Sequence, residues 1–383
     1  MTILLWLALA GLIFYLLVAV DLLRGNRQIP KLSATPPQLP ATTPSVSIIA
    51  AARNEERHIE AALNSLLELD YPDYELIVVD DRSDDRTGAI LDRLARSHSP
   101  LKTVHVDHLP GGWLGKNHAL WVGTQEARGE LLLFTDADIF MEKSILKRAA
   151  SLMHSRRLDH LVVSPRIVMP GILLSMLGLT FMMIFAMFTR PWKAREPGNN
   201  YHIGIGAFNL VRASAYHAIG GHRTISMRPD DDLKLGKLLK INGFRQDIAA
   251  GPDFMRVEWY ASVGELIRGL EKNAFAGCDY RLWFALTGVL LLMAFSVWPF
   301  AALLATTGIT WWMNFATVVI ILGLQVDCAR TNRLRFWYAL GWPLTATLFA
   351  WIILRTTWLN ISQGGITWRD TFYPLDELKK NRI

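Results

Sequence analysis

Long apolar runs lie at both ends of the chain. The run from Ile3 to Leu23 is apolar except for Asp21, and as a helix it is long enough to cross about 30 Å of hydrocarbon. No basic residue precedes it, whereas Arg24, Arg27 and Lys31 follow it. This pattern favours an uncleaved membrane anchor over residues 1–24 rather than a cleaved signal peptide, and the positive-inside rule puts the chain that follows in the cytoplasm.

Three further uncharged runs, Leu282–Ala305, Gly308–Val326 and Phe336–Leu354, predict about three transmembrane helices over 281–355. A basic cluster between the second and third runs (Arg330, Arg333 and Arg335) puts that connection in the cytoplasm. Three crossings would then leave the tail, 356–383, outside. The tail is itself basic, which argues for the opposite side, so its sidedness stays open.

A fifth apolar run, Gly171–Thr189, lies inside the polar middle of the chain. A single crossing there would put the two halves of one domain on opposite sides of the membrane, so we expect an interfacial or re-entrant segment. The segment Glu258–Phe275 has apolar residues at helical spacing and either lies on the bilayer or packs on the domain core. Residues 25–43 are rich in Pro, Ser and Thr, which is typical of a linker.

Between these runs, strand and helix patterns alternate. Short β-prone runs at 46–51, 74–79, 103–106 and 131–135 are separated by helical patterns, which predicts an α/β domain with a mostly parallel sheet over 44–280. Ligands bind such sheets at the carboxyl ends of the strands. Two acidic clusters follow strands at this end: Asp80 with Asp81, and Asp136 with Asp138.

The acidic clusters suggest specific chemistry. Two carboxylates at i and i+2 after a buried strand can share one oxygen-ligated divalent cation, and Mg²⁺ or Mn²⁺ there would bridge them to a diphosphate. Asp80 and Asp81 can accept hydrogen bonds from a nucleoside, or can belong to a helix cap. A third cluster, 230–232, has a simpler alternative, a solvated helix N-terminus that favours acidic residues.

Composition narrows the function classes. Of 383 residues, 51% are apolar and 19% are charged, which excludes a disordered chain and argues against a purely soluble enzyme. The net charge is +6, but the basic residues cluster beside apolar runs, so no nucleic-acid partner is expected. The two cysteines, Cys278 and Cys328, have no CxxC or histidine spacing and predict neither a disulfide framework nor a zinc site.

Several ordered motifs resemble family 2 of the inverting glycosyltransferases, which have a GT-A fold. The matching stretches are Pro44 to Glu56, Val78 to Thr87, Gly115 to Leu120, Phe134 to Asp138, Gly204 to Arg212 and Asp230 to Leu238. The match covers about residues 44 to 260. It implies a nucleotide-sugar-binding domain that needs Mg²⁺ or Mn²⁺.

The resemblance also assigns roles to individual residues. It implies that Asp80 or Asp81 contacts a uridine-type base and ribose, and that Asp138 with Asp136 holds the metal on the sugar diphosphate. Asp232 would be the general base, with Asp231 as its catalytic neighbour. The remaining residues assigned to nucleotide-sugar binding are Arg53, Glu55 and Lys116.

Two positions depart from the family pattern. The Gln-x-x-Arg-Trp motif that processive polymerases and ceramide glucosyltransferases carry after the base is absent, and Arg268 or Lys272 are the candidates for its positive charge. Trp121 stands where asparagine is usual. His118 and His202 are expected to be structural or to face the acceptor rather than to bind metal.

The overall layout resembles ceramide glucosyltransferases and the glycosyltransferases associated with hopanoid synthesis. This resemblance implies a multi-pass protein of the inner (plasma) membrane with a cytoplasmic catalytic domain. It would transfer a hexose from a nucleotide sugar, UDP-glucose by default, to a lipid acceptor in the bilayer. The alternatives are a processive polysaccharide synthase and a non-catalytic membrane scaffold.

Overall fold

A computed structural model describes residues 2–39, 42–381 and 383. Met1 of the expected anchor, residues 40 and 41 of the expected linker, and Arg382 of the tail lie outside the described residues. The chain forms two compact units. The helical unit comprises Met1–Gln28, Val168–Arg190 and Trp259–Lys379, and the α/β unit comprises Ile29–Ile167, Pro191–Glu258 and Lys380–Ile383.

The secondary structure elements are numbered in chain order. The strands are β1 (Val46–Ala52), β2 (Tyr74–Asp81), β3 (Leu101–Val106), β4 (Leu131–Asp136), β5 (Phe140–Met141), β6 (His160–Ser164), β7 (Arg166–Val168), β8 (Asn209–Arg212), β9 (Gln246–Ala250), β10 (Met255–Glu258), β11 (Gly365–Trp368) and β12 (Thr371–Pro374). The helices are α1 (Thr2–Gln28), α2 (Ile59–Leu67), α3 (Thr87–Ser97), α4 (Gly115–Gln125), α5 (Ile145–Arg156), α6 (Ile172–Thr189), α7 (Ala213–Ala218), α8 (Asp231–Ile241), α9 (Val263–Leu270), α10 (Leu282–Leu291), α11 (Trp298–Ala305), α12 (Gly308–Thr331), α13 (Trp342–Ser362) and α14 (Leu375–Lys380).

A seven-stranded sheet in the order β3-β2-β1-β4-β8-β6-β9 forms the centre of the α/β unit. Strands β1 to β4 pair in parallel, which suits their continuous apolar sequences because helices cover both faces of such a sheet. Ile48, Val78 and Leu133 are fully buried in its core. The predicted, mainly parallel α/β fold is confirmed, with β8 as the antiparallel strand beside β4 and β6.

The strand register brings the acidic clusters to one edge of the sheet. Ala52 at the end of β1 pairs with Asp80 of β2, and Ala51 pairs with Asp136 of β4. The predicted second strand ended at residue 79, but β2 continues through Asp81. Asp80, Asp81 and Asp136 therefore belong to the strands, whose backbone is rigid, and not to loops.

The loops after β1 and β2 are tied to each other. The backbone N–H groups of Asn54, Glu55 and Glu56 donate to the side chains of Ser83 (3.0 Å), Thr87 (2.8 Å) and Asp85 (3.1 Å). In return, the backbone N–H of Asp84 donates to the Asn54 side-chain oxygen at 2.9 Å. These side chains satisfy the donors that an irregular loop leaves unpaired, so both loops form one fixed rim beside the sheet edge.

The described residues of the helical unit include the N-terminal and the three C-terminal apolar helices expected from the sequence, and α6. Five helices in that part of the chain are long and apolar enough to cross a membrane: Ile3–Gln28, Ile172–Lys193, Leu282–Ala305, Gly308–Thr331 and Phe336–Ser362. The third contains a π-helical turn between α10 and α11, Leu292–Val297. The predicted membrane character is thereby supported by length and composition.

The unit boundaries differ from the sequence-based domain boundaries. Residues 168–190 and 259–280, expected within the α/β domain, belong to the helical unit. The reason is that α6 is apolar around its whole circumference, so only apolar neighbours can cover it. The buried residues of α9, Leu266 and Leu270, likewise cluster with Leu174 of α6 and Phe349 of α13 rather than with the α/β core.

Candidate active site

A lysine joins the acidic clusters at the carboxyl edge of the sheet. Lys116, in the first turn of α4, places its Nζ 2.8 Å from Oδ1 of Asp136 and 3.5 Å from Oδ1 of Asp231. Burial lowers the pKa of Lys116, but the carboxylates of Asp136, Asp231 and Asp232 raise it by more, so the net pKa lies above the ordinary value. Lys116 is therefore a fixed positive charge that holds β4 and α8 together at this edge.

The turn before α8 is rigid because buried polar groups fix it. Arg228 is fully buried and makes a two-pronged ion pair with Asp230, at 2.9 Å and 3.0 Å. Asn117, next to Lys116, donates from Nδ2 to the backbone carbonyls of Ile225 (2.8 Å) and Arg228 (2.9 Å). Both residues were missed by the sequence analysis, because no local spacing distinguishes an arginine or asparagine that will be buried.

Asp232, predicted to be the general base, lies in an environment that raises its pKa. Its Oδ1 accepts a hydrogen bond from the Leu233 backbone N–H at 2.7 Å. Burial raises the pKa of Asp232 above its ordinary value, and the charges of Asp136 and Asp230 add to this, while Lys116 and the Leu233 N–H oppose it. A carboxylate with a raised pKa holds a proton more readily, which suits a base. Asp231 and Asp232 also begin α8, so both interpretations of this cluster, a helix N-terminus and a catalytic site, apply to the same residues.

Asp231 faces a histidine that stays neutral. Nε2 of His222 lies 4.0 Å from Oδ2 of Asp231. Burial and the Lys116 charge lower the pKa of His222 to about 3. The Tyr216 hydroxyl lies 2.8 Å from His222 Nδ1 and fixes the imidazole ring. The positive charge beside Asp231 therefore comes from Lys116 and not from the imidazole.

A stretch of backbone, Ile203–Gly204, lies directly against the first turns of α8. A Cβ atom at Gly204 would be 1.8 Å from the Asp232 carbonyl oxygen, and one at Gly236 would be 1.9 Å from the Ile203 carbonyl oxygen. The atoms met are backbone atoms, which cannot rotate away. The two glycines therefore allow the close approach that sets the position of Asp232.

We expect Gly204→Ala to displace α8 and to reduce turnover severely. Overpacking of this kind typically costs about 1–3 kcal/mol of folding free energy, so the protein should remain folded enough to purify. Turnover and melting temperature should be measured together. Gly111→Ala is the matched control, because a Cβ there meets no atom within 4 Å. Full activity of Gly204→Ala would show that the position of α8 does not matter to the reaction.

Asp138, predicted to be a metal ligand, lies in a strongly acidic environment. Burial, together with the charges of Asp136 and Glu55, raises the pKa of Asp138 to about 7. A divalent cation would relieve this repulsion. Among the described residues no group of three or more His, Cys, Asp or Glu side chains is arranged to hold a metal. The carboxylate pair nevertheless fits Mg²⁺ or Mn²⁺, because such ions are often held by one or two carboxylates with substrate phosphates and water completing the shell.

The carboxylates expected to contact the nucleoside have partners within the chain. Asp80 is buried, and its Oδ2 lies 3.1 Å from Nδ1 of His105. Asp81 pairs with Arg82, whose Nε lies 2.8 Å from Oδ1. Hydrogen bonds to Asp92 and Asp80 raise the pKa of His105. The assignment of Asp80 and Asp81 to the base and ribose stays a prediction.

Three other predicted residues, Arg53, Glu55 and His118, differ in their burial and their neighbours. Arg53 is largely buried, and Glu55 is close enough to Asp138 to act on its pKa. His118 is buried in an aromatic cluster with Trp113 and Trp121, whose ring centroids lie 5.4 Å and 6.1 Å from its own, and burial lowers its pKa.

Two further predicted residues have partners within their own unit. His202 Nδ1 lies 2.8 Å from the Asn200 carbonyl oxygen. Lys272, in the helical unit, lies over the Trp368 ring at 3.8 Å.

The chain is similar to known glycosyltransferases. Residues 47–220 match the model of the family Glycosyl transferase family 2. The chain is 25% identical over 349 residues to 4,4'-diaponeurosporenoate glycosyltransferase of Staphylococcus aureus (strain bovine RF122 / ET3-1), covering 87% of this chain and 89% of that protein. The protein of the same name from strain USA300 is 24% identical over 271 residues, covering 69% and 68%.

The fold is also found in a solved structure. A mannosyltransferase from Pyrobaculum calidifontis, in complex with GDP-Man and Mn²⁺, superposes with a TM-score of 0.59 at 18% identity. The match covers 94% of this chain and 99% of that one. At this identity the likeness shows the fold, and it confirms the expected GT-A-like architecture.

Proposed function

We propose that the chain, whose residues 47–220 match the model of Glycosyl transferase family 2, transfers a hexose from a nucleotide diphosphate sugar to a lipid acceptor in the membrane. The chain is a glycosyltransferase. The observation that carries the proposal is the convergence of Lys116, Asp136, Asp231 and Asp232 at the carboxyl edge of the sheet, with Asp138 beside them. The donor is UDP-glucose by default.

The reaction we propose is a single displacement with inversion. The acceptor oxygen attacks the anomeric carbon, the bond from that carbon to the diphosphate oxygen breaks, and Asp232 takes the proton of the acceptor hydroxyl. Lys116 holds Asp136 in place. Asp138 and Asp136 would hold a divalent cation, which supplies positive charge to the leaving diphosphate.

Two observations support a lipid acceptor. The residues that the structure describes include both the sugar-transfer domain and five helices apolar enough for a membrane. In addition, the Staphylococcus aureus relatives, whose similarity extends over most of this chain, are named for a lipid-like carotenoid acceptor. The combination favours an acceptor that reaches the site from a bilayer. We propose that the protein lies in a cell membrane with the α/β unit in the cytoplasm.

The proposal is tested by sugar transfer in nanodiscs. Purified protein is incubated with labelled UDP- and GDP-sugars, Mg²⁺ or Mn²⁺ and a total bacterial lipid extract, and the products are separated by size and polarity. We expect one mobile glycolipid from one donor. Long products would establish a polysaccharide synthase instead, and no turnover with any donor, in folded protein, would favour a scaffold.

A further inference from the structure

The last residues of the chain belong to the α/β unit, although three apolar helices separate them from the rest of it. Asn381 Nδ2 donates to the Thr224 carbonyl oxygen at 2.9 Å, and its Oδ1 accepts from the Met227 backbone N–H at 3.1 Å. The Lys237 ammonium group donates to the Ile383 carbonyl oxygen. These contacts lie within one unit, and both ends of the segment 259–379 connect to that unit.

This arrangement constrains the number of membrane crossings. A unit built on one continuous hydrogen-bonded sheet cannot lie on both sides of a bilayer, because its backbone would have to pass through hydrocarbon. Strand β6 precedes α6 in the chain, yet it pairs with β8 and β9, which follow α6. The segments 168–190 and 259–379 must therefore each cross the membrane an even number of times. Three crossings after residue 258 are excluded.

The packing of α13 identifies which helix does not cross. It runs parallel to α6 within the helical unit. Gly341 lies against Met176, the hydroxyls of Thr345 and Thr180 are 2.6 Å apart, and the rings of Phe349 and Phe181 are 6.2 Å apart. Because both ends of α6 return to the same side of the membrane, α6 does not cross it. A helix that packs parallel to α6 along its length lies in the same leaflet.

The charged residue of α13 agrees with this. Arg355 lies in the second half of the helix, seven residues before its last residue, and pairs with Glu271. A charge within a crossing helix is expensive, whereas at an interface it is readily tolerated. The segment Leu282–Ala305 has no charged residue and is joined to α12 by only Thr306 and Thr307, which suits a pair of antiparallel crossings.

We propose that α6 and α13 form a parallel pair embedded in one leaflet, on the side of the membrane to which both ends of α6 return. Of the five long apolar helices in the described part of the chain, α1, the α10–α11 segment and α12 then span the membrane. The outer side chains of the pair fit the acyl chains and headgroup boundary of that leaflet. They include large exposed apolar residues: Ile172, Phe188, Leu344, Trp351 and Trp358. Tryptophan is favoured at this boundary.

This arrangement resolves the conflict between the three apolar runs and the basic tail. With two crossings after residue 258, the cluster of Arg330, Arg333 and Arg335 and the basic tail residues Arg369 and Lys379 lie on the same side as the α/β unit. Both basic groups then satisfy the positive-inside rule. Of the connections after α1 in the described residues, the Thr306–Thr307 connection is the one that lies on the side of the membrane opposite the α/β unit.

The proposal is tested by labelling single cysteines with a membrane-impermeant maleimide in right-side-out and inverted vesicles. The full chain carries Cys278→Ala and Cys328→Ala, and cysteines replace Ser99 in the α/β unit, Thr307, Thr331 before α13, and Gln363 after it. All four positions are exposed. Labelling in detergent gives the full-reaction reference, and no catalysis is needed.

We expect Ser99→Cys, Thr331→Cys and Gln363→Cys to react from one face, and Thr307→Cys from the other, each with at least a tenfold preference. Reaction of Thr331→Cys and Gln363→Cys from opposite faces would mean that α13 crosses and would overturn the proposal. So would reaction of Thr307→Cys from the same face as Ser99→Cys. Because the readout does not depend on sugar transfer, it distinguishes this proposal from the proposed function.

Discussion

Asp232→Asn is expected to lower kcat by about 10²–10⁴-fold, the range that a positioned general base contributes. The asparagine keeps the size of the side chain and the hydrogen bond from the Leu233 N–H, but it cannot take a proton. Binding of the nucleotide sugar should change little, because the proposed diphosphate-binding groups, Asp136, Asp138 and Lys116, remain. The measurement is kcat for glycolipid formation together with the Kd of the donor.

The control for this variant is Asp73→Asn. Asp73 is an exposed carboxylate directly before β2, at the opposite end of the strand from Asp80 and Asp81. It should leave kcat and Kd unchanged. Equal loss of turnover and donor binding in Asp232→Asn would contradict a role as base. Turnover that persists in Asp232→Asn would indicate an acceptor oxygen that is already ionised, such as a carboxylate, since such an acceptor needs no base.

The sequence predicted the scaffold of the site well. Strands β1, β2 and β4 are short apolar runs, and β2 and β4 end in acidic residues. A parallel sheet necessarily brings such strand ends together. The ion pair between Lys116 and Asp136 could not be predicted in the same way, although both positions were identified. It depends on the packing of α4 against the sheet, which no spacing along the chain encodes.

Other features depend on contacts distant in sequence. The ion pair of Arg228 and Asp230 is local, but the backbone carbonyl of Arg228 is held by Asn117, more than a hundred residues earlier. The tail contacts of Asn381 similarly reach residues 224 and 227. Hydropathy alone counted three C-terminal apolar helices correctly, but it does not record that the chain returns to the α/β unit after them.

Asp138→Ala is expected to abolish metal-dependent binding of the nucleotide sugar. Losing even an outer-shell partner of a metal ligand typically costs roughly 10–100-fold in metal affinity, so loss of a ligand itself should cost at least about 100-fold. The measurement is the Kd of the donor and of its nucleoside diphosphate, titrated with and without Mn²⁺ or Mg²⁺. The exposed control, Asp73→Ala, should keep the full metal dependence.

In the absence of metal, the folded state of Asp138→Ala should be no less stable than that of the wild type. The pKa of Asp138 in the folded protein is raised to about 7, so above the pKa of the unfolded chain this carboxyl destabilises the folded state, increasingly up to about pH 7. At pH 8, removing it should leave the melting temperature of the metal-free protein unchanged or higher.

The wild type should gain thermal stability from Mn²⁺ plus nucleoside diphosphate, because ligands that bind the folded state stabilise it, and Asp138→Ala should gain none. A variant that melts much lower without metal, or that still responds to Mn²⁺ like the wild type, would place the metal elsewhere. A lower melting temperature of metal-free Asp138→Ala would mean that Asp138 stabilises the fold itself. An unchanged or higher melting temperature, with no gain from Mn²⁺ plus nucleoside diphosphate, would mean that this carboxylate destabilises the free protein. That cost is offset when the cation and the diphosphate bind together.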